Sequence, residues 1–254
     1  MNLSANMKSF HISGAVLKWI AIITMFIDHF GVTIMERYLR MSTWPLSIDR
    51  HTFYVTYRVC RSIGRLGFPL FCFLLVEGLL HTKHRGKYAL RLLLFCFLSE
   101  FPFDLALFDT SFTMEHQNVF FTLLIGYLAI WGIDTLYKRF ALSPVFVISA
   151  AGCVTLAYYA AEMLKTDYRG YGVLNIVAMY LVRELILPGN YSMSLSAGLI
   201  VLCLFNSSEY PAWAALLPMA FYDGSRGKQT KYFFYLFYPA HLLLLYACFV
   251  LFCS

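Results

Sequence analysis

Apolar residues gather into runs long enough to cross a bilayer, and the stretches between them hold most of the charge. The runs cover residues 17–35, 63–80 with a polar extension back toward Tyr54, 87–107, 119–137, 144–164 and 172–187. Residues 192–205 and 212–221 form a shorter pair, and 232–252 follow. A spanning helix needs roughly 20 residues, so the pattern predicts about nine transmembrane helices. The expected fold is all-α, a polytopic integral membrane protein in which residues 1–254 form a single transmembrane domain.

Composition agrees with this class. Hydrophobic residues make up 60% of the chain, aromatic residues 18% and charged residues 13%, whereas soluble domains carry roughly 45–50% apolar and about 25% charged residues. The seven cysteines lie in or beside apolar runs, without CxxC or Cys/His spacing, so no disulfide framework and no metal site is expected. The net charge of +6 is dispersed. It reads as juxtamembrane charge beside membrane lipid and not as a nucleic-acid surface. The residues before Leu17 show no apolar core followed by a small-residue cleavage site, and a cleaved signal peptide is not expected.

Charge also sets an orientation, because short cytoplasmic loops are enriched in Lys and Arg. The connection 81–87, HTKHRGK, is basic and is assigned to the inside. Alternation then places Lys138 and Arg139, Arg183, and Arg226, Lys228 and Lys231 inside. Asp104, Asp109, Glu115, Asp167 and Glu209 fall outside, and the amino terminus is cytoplasmic. The stretch 37–58 is basic yet falls outside. Either the first helix pair is irregular or these arginines serve a site.

Chemistry enters through the ionisable residues inside the apolar runs, which are costly in hydrocarbon and mark functional sites by default. The first run holds Lys18 near one end and the pair Asp28-His29 deep within it. On an ideal helix Lys18 and His29 lie ~16 Å apart along the axis and only ~20° apart around it, so they share a face. Such a face can hold a phosphate-bearing cofactor at its inner end and a proton acceptor deeper in the membrane. The plainer alternatives are a snorkelling lysine and a core histidine. Asp28 points about 100° away from His29, which casts it as a support for another helix.

Arg61 and Arg65 share a face of the second helix and need anionic partners, in a site or in Asp28, Glu100 or an outside acid. Arg91 lies inside an apolar run and must find an anion or snorkel. Glu100 and Asp104 bracket Pro102, where a helix break is compatible with the sequence. Asn118 either caps the fourth helix or serves a site. His241 is a second acid/base or a structural histidine. The catalytic candidates are therefore His29, Asp28, Arg65 and Asn118, and the cofactor-binding candidates are Lys18, Arg61, Arg91, Lys231 and His241.

LKWIAIITMFIDHFG, RSIGRLGFPLFCFLLVEGLLHT, KYALRLLLFCFLSEFPFDLA, NVFFTLLIGY and FFYLFYPAHLLLLY, in this order, resemble the TraX family, which includes the F-pilin acetylase of conjugation systems. Lys18, ten residues and His29 also resemble the Arg/Lys-x10-His signature of acyltransferase-three membrane enzymes. PLFCFLLVEG (69–78) resembles that family's PLFFxxSGF pattern, with Glu77 where the hydroxyl residue stands. The resemblance implies an acyl-CoA-dependent N- or O-acetyltransferase of the bacterial inner membrane. Its donor would be cytoplasmic acetyl-CoA and its acceptor, at the outer face, the amino terminus of a pilin or an envelope glycan. Thioester chemistry needs a base, oxyanion donors and cations for the phosphates; His29 is the base, and direct transfer needs fewer assumptions than an acetyl-histidine relay. The rival classes are a proton-coupled transporter, for which paired broken helices in inverted repeats would speak, and an assembly partner of a secretion apparatus.

Overall fold

A computed structural model describes residues 11–41, 44–228 and 231–252, with the side chains at 231, 232 and 252 outside the described set. All elements are helical. The first run forms α1 (Gly14–Phe30), which passes through a π segment (Gly31–Met35) into α2 (Glu36–Arg40). The second forms α3 (Arg50–Gly64) and α4 (Gly67–His81), broken at Arg65 and Leu66 where the apolar pattern reads as one helix. Glycine on both sides weakens the helix at that point. A Cβ at Gly64 would also run into the Asp28 side chain, so the break lies beside a close approach of α1.

There follow α5 (Arg85–Phe108), α6 (Val119–Phe140), α7 (Pro144–Met163) and α8 (Arg169–Tyr180), the last continued by a π segment (Leu181–Ile186). The chain ends with α9 (Tyr191–Phe205), a 3-10 segment (Ser207–Ala215), α10 (Leu216–Met219) and α11 (Lys231–Phe252). Asn118 and Ser143 cap α6 and α7 by accepting from the N–H groups of Phe120 and Phe146, which satisfies donors at each helix start. Pro102 does not break α5, which runs on to an Asp109 cap at φ 55°.

Five stretches of the described residues are long and apolar enough to cross a membrane: Gly14–Arg40, Arg50–His81, Val119–Phe140, Pro144–Met163 and Phe233–Leu251. The apolar pattern counts more runs because it includes segments that fail one criterion. Arg91, Glu100 and Asp104 interrupt α5, α9 is apolar but short, and residues 212–221 are divided between 3-10 and α-helical turns. Burial follows membrane logic. Glu77, Asp104, Asn118, Asp134, Asn175 and Glu209 are buried while Leu90, Phe97, Ile148, Leu156 and Leu204 are exposed, as expected where polar groups must face the bundle interior.

Polar contacts collect the connections at two ends of the bundle. At one end Arg85 meets Asp134 at 2.5 Å, Arg183 meets Glu77 at 2.6 Å, and the Gly14 N–H donates to the Ser225 carbonyl at 2.8 Å. At the other end Arg65 meets Glu209 at 2.8 Å and the Gln117 N–H donates to the Lys165 carbonyl at 3.0 Å. The basic stretch 37–58 is tied into this second end by its own contacts. Arg37 donates to the Ala106 carbonyl at 2.9 Å and pairs with Asp109 at 3.0 Å, and Arg50 donates to the Leu39 carbonyl at 2.6 Å.

Candidate functional site

A cavity of about 690 Å³ is lined by residues of α1, α4, α5, α6 and α11, by Gly64 at the end of α3, and by the loops at 82–83, 167–168 and 222–226. Its volume is in the range of small-molecule sites. One end carries Lys18, Lys83, Arg91 and Arg226, and the other carries Asp28, His29, Asp167 and Tyr168. Lys18 and His29 thus line one wall, joined by the straight part of α1. The π segment begins two residues after His29, and π turns within α-helices are frequent at functional sites.

His29 is held from behind by α11. Its Nδ1 lies 2.6 Å from His241 Nε2, and the two rings stack at 4.9 Å. His241 Nδ1 in turn lies 2.6 Å from the Phe237 carbonyl. A carbonyl only accepts, so His241 Nδ1 carries a proton. With both rings neutral, His241 Nε2 is then the acceptor, His29 Nδ1 donates to it, and His29 Nε2 is left bare; this tautomer is assigned from the hydrogen-bond pattern. Phe26, Phe237 and Tyr238 surround the pair with aromatic rings. His29 lines the cavity and His241 does not. His241 therefore stands behind His29 and not on the cavity wall.

The other candidates divide between the cavity wall and its supports. Arg61 pairs with Asp28 at 2.6 Å, so Asp28 joins α1 to α3 as its angle on the helix predicts, and Arg61 is absent from the cavity lining. Arg65 pairs with the buried Glu209, one of the acids that the charge pattern assigns to the outside. Arg91 lines the cavity, with its Nε donating to the Lys87 carbonyl at 3.2 Å and its guanidinium 5.6 Å from the Tyr88 ring centroid. Lys18 Nζ lies 5.5 Å from the centre of the Phe234 ring. Asn118 is fully buried, accepts from the Phe120 N–H, and donates to the Cys96 carbonyl and Glu100 carboxylate. It is a cap, and it does not line the cavity. The Lys231 side chain lies outside the described residues.

Sequence reasoning passed over Asp167, Tyr238 and the cavity-facing position of Arg226. Asp167 sits between α7 and α8 and borders the cavity, with its side chain exposed there; desolvation by the protein around it pushes its carboxyl up to about 6, with the nearby Asp28 charge raising it further and Arg65 and Arg61 opposing. Tyr238 is nearly inaccessible, at 3% exposure, yet lines the cavity. No local signal marks it in a chain with 18 tyrosines. Arg226 is brought to the mouth because the 221–226 loop bonds the start of α1, through Ile12 N–H to the Phe221 carbonyl and Gly14 N–H to the Ser225 carbonyl, both at 2.8 Å.

This arrangement can bind an anionic group at one end and accept a proton at the other. Comparison with known proteins gives it a context. A Dichelobacter nodosus protein described as "Probable fimbrial assembly protein FimC, serogroup H1" is 28% identical over 265 residues, covering 94% of this chain and 96% of its own length. No solved structure matches the chain. A family profile described as TraX protein matches residues 13–248, and the chain belongs to that family.

Proposed function

We propose that the protein is a multi-pass acetyltransferase of the bacterial cytoplasmic membrane, moving acetyl from cytoplasmic acetyl-CoA to an acceptor at the outer face. The observation that carries this reading is the bare Nε2 of His29, at the far end of a cavity whose near end is cationic. The nucleotide phosphates would meet Lys18, Lys83, Arg91 and Arg226, and the pantetheine arm would run along Phe71, Leu74 and Phe234 toward His29. The 69–78 motif supports kinship with acyltransferase-three enzymes, since Phe71, Leu74, Leu75, Glu77 and Gly78 all border the cavity. The basic loops share the end of the bundle at which Gly14 lies, which supports a cytoplasmic amino terminus. About nine passages are proposed, the 207–219 stretch gaining reach from the ~2.0 Å rise of 3-10 geometry.

In the reaction, His29 Nε2 takes the proton of the attacking amine or hydroxyl as the new bond to the thioester carbon forms. The tetrahedral intermediate collapses with cleavage of the C–S bond, and the thiolate recovers the proton from His29. The relative described as a fimbrial assembly protein and the TraX family itself favour a pilin amino terminus as acceptor. A glycan hydroxyl would react by the same steps. The test is purified protein in lipid nanodiscs with radiolabelled acetyl-CoA and pilin amino-terminal peptides or envelope glycans. Transfer is expected, with His29→Ala lowering kcat by roughly 10²–10⁴; unchanged turnover in that variant would falsify the assignment of the base.

A further inference from the structure

The tetrahedral intermediate carries negative charge on the former carbonyl oxygen, and acyl-transfer sites place hydrogen-bond donors there. The positions proposed above leave that role empty, because Asn118 is engaged in capping α6 and Arg65 is paired with Glu209. Tyr238 meets the requirement. Its ring stands edge-on to His29, with centroids 5.7 Å apart and planes at 72°. It is also held edge-on by Phe120 at 5.3 Å and by His241 at 5.7 Å. These three contacts fix the ring on the wall that carries the base.

The hydroxyl itself has no hydrogen-bond partner although it is buried. The Val119 backbone N–H approaches the oxygen without completing a bond, and an N–H could only donate to it. The hydroxyl hydrogen is thus without an acceptor in a cavity that His29 and Asp167 also line. Leaving such a group unsatisfied is costly, and native proteins retain few of them. A ligand oxygen that enters this cavity would satisfy it.

We propose that the Tyr238 hydroxyl donates a hydrogen bond to the thioester carbonyl oxygen and strengthens it as that oxygen becomes an oxyanion. The inference rests on the acetyl-transfer reading. As the nucleophile adds, the carbonyl electron pair moves onto oxygen and is held by the Tyr238 O–H, whose proton is not transferred. Collapse then returns the pair to the carbonyl and expels the thiolate.

The experiment compares wild type, His29→Gln and Tyr238→Phe in nanodiscs with radiolabelled acetyl-CoA, measuring kcat, KM for acetyl-CoA, inhibition by free CoA, and the thermal midpoint. Tyr238→Phe keeps every ring contact and is expected to lower kcat by roughly 10²–10³, the loss typical of one oxyanion donor. KM for acetyl-CoA and inhibition by CoA should stay within twofold, and the thermal midpoint should not fall, since no bond of the resting protein is lost. An active wild type and an inactive His29→Gln beside a fully active Tyr238→Phe overturns the role of Tyr238 and leaves the acetyl-transfer reading standing. No transfer by wild type overturns both. A Tyr238→Phe protein that fails to fold, or melts well below wild type, shows that the hydroxyl holds the fold and also overturns the proposal.

Discussion

His29 of α1 and His241 of α11 are 212 residues apart in sequence and 2.6 Å apart in space, nitrogen to nitrogen. The bond does more than join two helices. Because the Phe237 carbonyl fixes the proton on His241 Nδ1, the dyad determines which nitrogen of His29 is basic. In the serine hydrolase triad a buried acceptor does the same for its histidine. Here a neutral imidazole takes that place.

Replacing His241 by Leu removes the acceptor, and kcat is expected to fall on the order of tenfold to a hundredfold, within the range carried by general-base catalysis. KM for acetyl-CoA should not change. His241→Gln can accept from His29 and donate to the Phe237 carbonyl, so it should recover most of the loss. Equal activity in the two variants would remove His241 from the role of positioning His29.

Gly64 presents its bare Cα to Asp28, and the Asp28–Arg61 pair closes over it. Ala at this position must push the carboxylate aside. Overpacking of this kind costs about 1–3 kcal/mol, and Gly64→Ala should lower the thermal midpoint in detergent accordingly. Gly86→Ala is the control: nothing lies within 4 Å of a Cβ there, and Ala is the better helix former by about 1 kcal/mol. A Gly64→Ala protein as stable as wild type would show that α1 and α3 can separate without loss.

Helical periodicity was enough to put Lys18 and His29 on one wall, and to turn Asp28 toward a different helix, because both follow from 3.6 residues per turn. What periodicity cannot supply is the partner on another helix. Nothing near Pro239 specifies that His241 meets His29, and nothing near Arg65 points to Glu209, 144 residues away. The break between α3 and α4 left a trace in Gly64, Gly67 and Pro69. Its apolar flanks masked it, since hydropathy sums over the break. Asn118 was legible both as a cap and as a site residue; only its three side-chain hydrogen bonds distinguish them. Tyr238 was not legible at all, because an orphaned hydroxyl is a property of packing.

Lys18 and Arg91 face the same end of the cavity from α1 and α5. If they meet the phosphates of the donor, Lys18→Glu and Arg91→Glu should each raise KM for acetyl-CoA roughly tenfold, about 1.4 kcal/mol, while kcat changes little because His29 is ~16 Å from Lys18 along the helix. Added salt should narrow the difference between wild type and variants by screening the charges. Steady-state kinetics at two ionic strengths checks this. A fall in kcat at constant KM would place these cations elsewhere in the mechanism.

Asp167 gives a test in pH. Its carboxyl is raised by desolvation to about 6 from the usual 3.8, so between those values the folded protein holds a proton that the unfolded chain has released. Where the folded state binds more protons, stability falls as pH rises. The Asp167 contribution is therefore fully present below about pH 4, declines through about pH 6 and is flat above it. Asp167→Asn stays neutral throughout and should remove that part of the slope, so that its thermal midpoint gains on wild type as pH is raised from 4 to 7. Asp28, Arg61 and Arg65 act on the same carboxyl; Arg65→Gln, which removes an opposing cation, should shift the decline to higher pH. Parallel midpoint curves for wild type and Asp167→Asn across this interval would mean that the carboxyl titrates as it does in water, and that the Asp167 end of the cavity is open to solvent.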